Sequence, residues 1–257
     1  MPTSPDKITF RQLNKSFTVN GNRKQILRNI NFEVQSGEFI CLLGSSGCGK
    51  STILNLISGL DQDYSGEISI DGLPRTKSRA HLSYLFQEPR LLPWLTVEKN
   101  IHFALEAAKV PMNEWVERTA HYLGMVNLPG CEKHYIHQLS GGMQHRVSIA
   151  RAFSVNPDIL LMDEPFGALD ELTARDIRRN LLQLWQEDRK TVIFVTHNTL
   201  EATYLADRIF MMSSNPGTID EVAPVEIGRP REYESDELFM LNKQMMKRFV
   251  QVTGQLV

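Results

Sequence analysis

The chain has 257 residues, 42% hydrophobic and 23% charged, with 28 Lys and Arg against 30 Asp and Glu for a net charge of -2. That balance describes an ordinary globular protein of one large or two small domains, and it excludes a disulfide-stapled miniprotein and a disordered chain. No broad basic field is present to attract nucleic acid or anionic lipid.

Cys41, Cys48 and Cys131 show no metal-ligand spacing. Their odd number argues against a secreted disulfide framework, so a reducing cytosol is expected. The opening MPTSPDKITF lacks the basic and apolar regions of a signal peptide. Apolar runs such as FICLL and TVIFV fall far below the roughly 18 residues of a spanning helix, and the chain is expected not to cross a membrane.

From Ile8 to Phe39, short alternating segments with turns at Asn20-Gly21 and Ser36-Gly37 predict half-exposed antiparallel strands. FICLL is continuously apolar and runs through glycines into KSTILNLISG, which predicts a buried parallel strand feeding a helix. A hairpin is expected at GEISIDG and a strand at LSYLF. Between about 88 and 155 the pattern turns helical, with Val97, Ile101, Ala104 and Ala108 on one face and a helix capped by Ser140 running to Phe153. DILLM then returns to buried strand. Ala174, Ile177, Leu181 and Leu184 stripe a helix, TVIFV is a strand, Thr199 to Ala206 a short helix and RIFMM a strand, so strands and helices alternate. Beyond Pro216, Pro224 and Pro230 are expected to break regular structure before a helix capped by Ser235 and bearing Phe239, Met246 and Phe249.

Gly44, Ser45, Ser46, Gly47, Cys48, Gly49, Lys50 and Ser51 match G-x-x-x-x-G-K-[ST] between a predicted strand and helix. Glycines let the backbone N-H groups converge on phosphate oxygens, and the helix that follows adds its positive end. Lys50 would neutralise the β and γ phosphates and Ser51 would ligate Mg²⁺. Thr52 belongs to the same nucleotide-binding stretch. Cys48 is read as inert within the loop, although its oxidation would block nucleotide.

The buried strand ILLM ends in Asp163 and Glu164. That places two carboxylates at the ligand edge of a parallel sheet, Asp163 to hold Mg²⁺ through its water shell. Glu164, pointing to the opposite side, is left to polarise the attacking water. Leu139 to Gln144 reads LSGGMQ, so Ser140, Gly141 and Gly142 open a second phosphate-binding helix end. Two half-sites in one chain point to a complete site built by two copies in a two-fold arrangement.

These landmarks, with Gln87 after a strand, Ala168-Leu169-Asp170 and His197 after TVIFVT, resemble those of ABC transporter ATPase subunits over nearly the whole chain. The resemblance implies an α/β fold: a P-loop NTPase with a RecA-like core, an N-terminal antiparallel β subdomain and an inserted α-helical subdomain. It implies one ATPase domain over 1-257, with core and β subdomain in 1-87 and 156-215, the helical signature subdomain in 88-155 and a short tail in 216-257. By the same resemblance Gln87 ligates Mg²⁺ and senses the permease, and Glu164 is the catalytic base. His197 contacts the γ-phosphate, Phe17 stacks on adenine, and Asp170 communicates across a head-to-tail dimer with a second ATPase subunit.

FQEPRLLPW, MDEPFGALD and Gly228-Arg-Pro-Arg231 are similar to the branch importing nitrate, sulfonates, taurine and related solutes. Met143 and His145 depart from the commonest family residues without removing the glycines. The resemblance further implies ATP and Mg²⁺ as cofactors, transmembrane permease subunits as partners and, indirectly, an extracytoplasmic solute-binding protein. It implies no nucleic acid partner and a peripheral place on the cytoplasmic face of the membrane. Leu91-Leu92-Pro93-Trp94 beside Gln87 is an expected part of the permease groove, or equally a buried loop anchor. The alternatives are a non-transport ABC ATPase of DNA repair or translation, disfavoured by the near-neutral charge, and a nucleotide-sensing regulator without turnover, disfavoured by Glu164 and His197.

Overall fold

The computed structural model describes residues 6-19 and 21-254, so the first five residues, Asn20 and the last three residues lie outside the described part. The chain divides into two compact units, one of Met1–Ala80 with Thr191–Val257 and one of His81–Lys190.

In the first unit, β1 (Asp6–Val19) and β2 (Asn22–Gln35) pair antiparallel, and β1 also pairs with β4 (Ser65–Ile70), which turns back into the short β5 (Leu73–Pro74). The alternation of the sequence belongs to two long 14-residue strands and not to several short ones. Bulges explain the difference: register shifts at Phe10/Leu13, Leu13/Lys15 and Lys15/Ser16 break the period of two. Ile8, Phe10, Leu13, Ile30, Phe32 and Val34 form the buried face. Phe32 stacks on Phe10 at 4.2 Å and meets Phe210 at 5.0 Å, so this sheet packs on a second set of strands.

That second set is built on β3 (Phe39–Gly44), wholly buried as its unbroken apolar run requires. β3 pairs parallel with β8 (Thr191–Thr196) and β9 (Arg208–Met212). α1 (Lys50–Ser58) follows β3, and α6 (Thr199–Leu205) joins β8 to β9. A strand, β10 (Ile219–Pro224), antiparallel to β9, follows Pro216, and the expected break falls at Pro224, beyond which residues 225-235 form neither helix nor strand. Pro224 ends it, where a missing N-H costs little.

Arg231 of the GRPR segment is buried and donates to the carbonyls of Thr203, Tyr204 and Ala206 at 2.8 to 3.0 Å and of Ile227 at 3.1 Å. It thereby satisfies the end of α6. Burial foremost, with Arg229 beside it, pushes its pKa down to about 10.

α7 (Asp236–Thr253) is capped by Ser235, whose hydroxyl accepts from Leu238 N as the sequence predicts. Leu238 and Met245, seven apart, are covered, while Phe239 is 62% and Met246 43% exposed. Apolar residues occur all round this helix, so periodicity alone does not choose the side. No helix among the described residues is long and apolar enough to cross a membrane.

In the second unit, β6 (Leu82–Leu85) pairs parallel with β7 (Ile159–Asp163). Between them lie α2 (Val97–Ala107), α3 (Trp115–Met125) and α4 (Gly141–Ser154), which pack on one another; α5 (Glu171–Glu187) follows β7. α2 buries Val97, Ile101 and Leu105. Asn100, fully buried on α2, accepts from Leu92 N and donates to the carbonyls of Leu92 and Thr96, which fixes the loop that leaves Trp94 69% exposed.

Candidate functional site

In the first unit the glycine-rich loop joins the buried end of β3 to α1. Gly47 and Gly49 have φ of +79° and +104°, the left-handed region that glycine enters without cost. Gly49 is the cap residue of α1, and no side chain caps the helix, so its first turn is arranged for an anion. Lys50 is 4% exposed, and its ammonium donates to the carbonyls of Gly44 at 2.8 Å and Ser45 at 3.0 Å. The side chain curls under the loop it belongs to, which holds a cation beside the converging N-H groups. Ser45 and Thr52 are partly exposed and Ser46 and Ser51 exposed, whereas Cys48 is buried, in keeping with an inert thiol.

The loop is supported by Gly217, which belongs to no motif of the sequence. Gly217 N donates to Ile26 O at 2.8 Å, Arg28 N donates to Gly217 O at 3.0 Å, and a Cβ on Gly217 would stand 2.0 Å from the Cys48 carbonyl oxygen. No side chain fits there without displacing the loop. Gly217→Ala is expected to weaken ATP binding about tenfold or more, read by nucleotide titration.

His197 follows β8 and is exposed. Its turn is fixed by neighbours: Asn198 caps α6 by accepting from Leu200 N and Glu201 N, and the Thr196 hydroxyl donates to Glu201 at 2.6 Å and accepts from Asn198 N at 3.0 Å. Of this network the sequence announces only the short helix from Thr199. Phe17 lies on β1, 41% exposed, with the Lys15 ammonium 4.5 Å from its ring centre.

In the second unit Gln87 is exposed just beyond β6. Phe86 before it is held between Tyr84, stacked at 4.0 Å, and the Arg90 guanidinium at 3.8 Å, while Arg151 of α4 donates to the carbonyls of Pro89 and Arg90, both at 2.9 Å. Asp163 ends β7 and is buried. The Tyr84 hydroxyl hydrogen-bonds its carboxylate, and burial, then the Asp163 charge, raise the Tyr84 pKa. Tyr84 thus links the strand before Gln87 to Asp163, a cross-strand contact with no local signal in the sequence.

Glu164 has φ of +44°, left-handed for a residue that carries a side chain. Such strain is kept where the surroundings over-determine it, commonly at functional sites. The segment beyond is braced by Arg178, fully buried, which donates to Ala174 O at 3.1 Å and to Glu171 at 2.5 Å and lies 5.8 Å from the Phe166 ring.

Ser140 caps α4 as predicted, accepting from Met143 N at 3.3 Å. Gln144 donates to the carbonyls of Ile136 and Leu139 and so shapes the entry to the helix. Gly141 has open space where a Cβ would be, and at Gly142 the nearest atom is Leu169 Cδ2 at 3.7 Å. The structure therefore brings the LSGGM segment beside Ala168-Leu169-Asp170. Asp170 is exposed and caps α5 by accepting from Thr173 N at 3.0 Å; that hydrogen bonding lowers its pKa.

His145, one of the departures noted above, is buried on α4, and burial lowers its pKa against the opposing effect of the Pro165 carbonyl. The folded state therefore favours neutral imidazole, while the unfolded chain takes up a proton below about pH 6.5. The stability held above that pH is lost as pH falls through 6.5. The melting temperature is expected to drop between pH 7.5 and 5.5, and His145→Gln to flatten that drop.

Residues 27–167 match the family model described as ABC transporter. The chain belongs to the ABC transporter family. It is 43% identical to an aliphatic sulfonates import ATP-binding protein of Bacillus cereus over 94% of this chain and 95% of that one. It is 42% identical to a nitrate import ATP-binding protein of Synechococcus elongatus over 89% of this chain and 84% of that one. Among solved structures, a dimeric ATP-binding cassette in a post-hydrolysis state with ADP and Pi superposes with a TM-score of 0.78 at 31% identity, covering 86% of this chain and all of that one. The fold is that of the P-loop ABC ATPase cassette, and the enzyme class is ATPase.

Proposed function

We propose that this ABC ATPase is the motor subunit of an importer, coupling ATP binding and hydrolysis to uptake of a small solute such as a sulfonate, nitrate or taurine through a separate permease. The observation that carries the ATPase part is the glycine-rich loop with Lys50 curled beneath it. The importer part rests on both import subunits being over 40% identical to this chain. With both named relatives serving import, the DNA repair and translation alternative is not carried forward.

Gly44, Ser45, Ser46, Gly47, Cys48, Gly49 and Thr52 cradle the phosphates through backbone N-H groups, and Lys50 neutralises the β and γ phosphates. Phe17 stacks on adenine. Ser51, Gln87 and Asp163 offer only hard oxygen donors, which suit Mg²⁺. Bound there, Mg²⁺ would supply charge neutralisation of the triphosphate.

Glu164 accepts a proton from the water that attacks the γ phosphorus in line; the bond from that phosphorus to the bridging oxygen breaks, giving ADP and phosphate. His197 contacts the γ-phosphate. Ser140, Gly141 and Gly142 of a second copy cover that phosphate in a head-to-tail dimer, and Asp170 transmits across it. Residues 88-155 act as the helical signature subdomain, 1-87 and 156-215 as core and β subdomain, and 216-257 as a short tail. The dimer works peripherally on the cytoplasmic face of the membrane and meets a solute-binding protein only through the permease.

The test is a pull-down from detergent-solubilised membranes with the tagged Glu164→Gln protein and ATP, followed by mass spectrometry. Recovery of a small permease, with or without an extracytoplasmic binding protein, is the expected result. Recovery of ribosomes or DNA-repair proteins in its place would overturn the transport reading.

A further inference from the structure

We infer that Lys15 is the positioning residue that fixes the Phe17 ring for a purine base, an inference that rests on the reading of Phe17 proposed above. Lys15 is only 3% exposed, and a buried ammonium requires partners for its three donors. It finds them at Asp61 Oδ1 (2.8 Å), Asp63 O (2.5 Å) and Asp63 Oδ2 (3.3 Å). The same nitrogen stands 4.5 Å from the centre of the Phe17 ring, well inside the roughly 6 Å over which a cation is attracted to an aromatic face.

Two consequences follow from this geometry. Asp61 and Asp63 lie just beyond α1, the helix whose first residue is Lys50, and Asp61 N is bonded back to Asn55 O at 3.2 Å. Lys15 therefore ties the strand that carries Phe17 to the far end of the helix that begins at the phosphate loop, which sets the separation of base and phosphate elements. The cation also draws π density toward itself, leaving the rest of the ring poorer in electrons and better suited to stack on an electron-rich purine. Phe17 keeps 41% of its surface open for that contact.

Lys15→Met in the full chain is expected to raise the KM for ATP about fivefold with kcat unchanged. Affinity for inorganic tripolyphosphate, which has no base, is expected to stay at its native value. In a Phe17→Leu background the Lys15 substitution should add nothing. A native KM in Lys15→Met, an equal loss for tripolyphosphate, or an additive loss in the Phe17→Leu background would each overturn the inference. Should Lys15→Met not fold, Lys15→Gln, whose amide keeps donors for Asp61 and Asp63 but has no charge, is read by the same outcomes. Phe17→Leu alone separates the two levels: native ATP affinity in that variant would remove the stacking reading itself, whereas a loss there with no effect at Lys15 would remove only the role of Lys15.

Discussion

Glu164→Gln is expected to bind ATP with native affinity, to slow phosphate release by at least about a hundredfold and to accumulate a dimer in ATP. The amide keeps the size of the carboxylate and its capacity for hydrogen bonding but has no basic oxygen for the proton of the attacking water. Asp163 beside it is untouched, buried and held by Tyr84, so the binding side of the site survives. The backbone of Glu164 already sits at φ +44°, and glutamine inherits that strain unchanged, so stability should stay close to native. Phosphate release, nucleotide titration and size-exclusion chromatography with ATP read the three effects. Hydrolysis at the native rate would show that another group is the base.

Lys50→Ala is expected to act on the other side of the cycle, weakening ATP binding by about ten- to a hundredfold. Its ammonium is 4% exposed and bonded to the carbonyls of Gly44 and Ser45, so the substitution removes a phosphate ligand and also leaves those two acceptors without their donor. Lys50→Met keeps the buried stem while losing the same ammonium, so it separates the packing of the stem from the charged, hydrogen-bonding head. Equal weakening in both variants assigns the effect to the missing charge; native affinity in both would overturn the phosphate-loop reading. Melting curves with and without ATP complete the measurement, since a ligand that binds only the folded state raises the midpoint with the logarithm of its concentration over its Kd.

The sequence by itself determined the parts of this protein that are local. The phosphate loop is a contiguous run whose glycines and lysine carry their own geometry, and the buried runs FICLL and ILLMD announce strands whose ends present chemistry. Ser140 and Ser235 cap their helices within three residues of themselves, where sequence distance and spatial distance coincide.

What only the tertiary structure decided depends on partners far along the chain. Apolar residues on several sides of α7 do not say which side is covered, and burial of Leu238 and Met245 is settled by α6 and β9. β10 exists because β9 offers it an edge, and it stops at Pro224. Gly217 looks like any loop glycine until Cys48 is found against it, and Lys15 and Tyr84 look like ordinary strand residues until Asp61, Phe17 and Asp163 are in place. Periodicity records that a face is apolar or polar; which group faces it is fixed by chain closure over tens of residues, and that information lies in the packing.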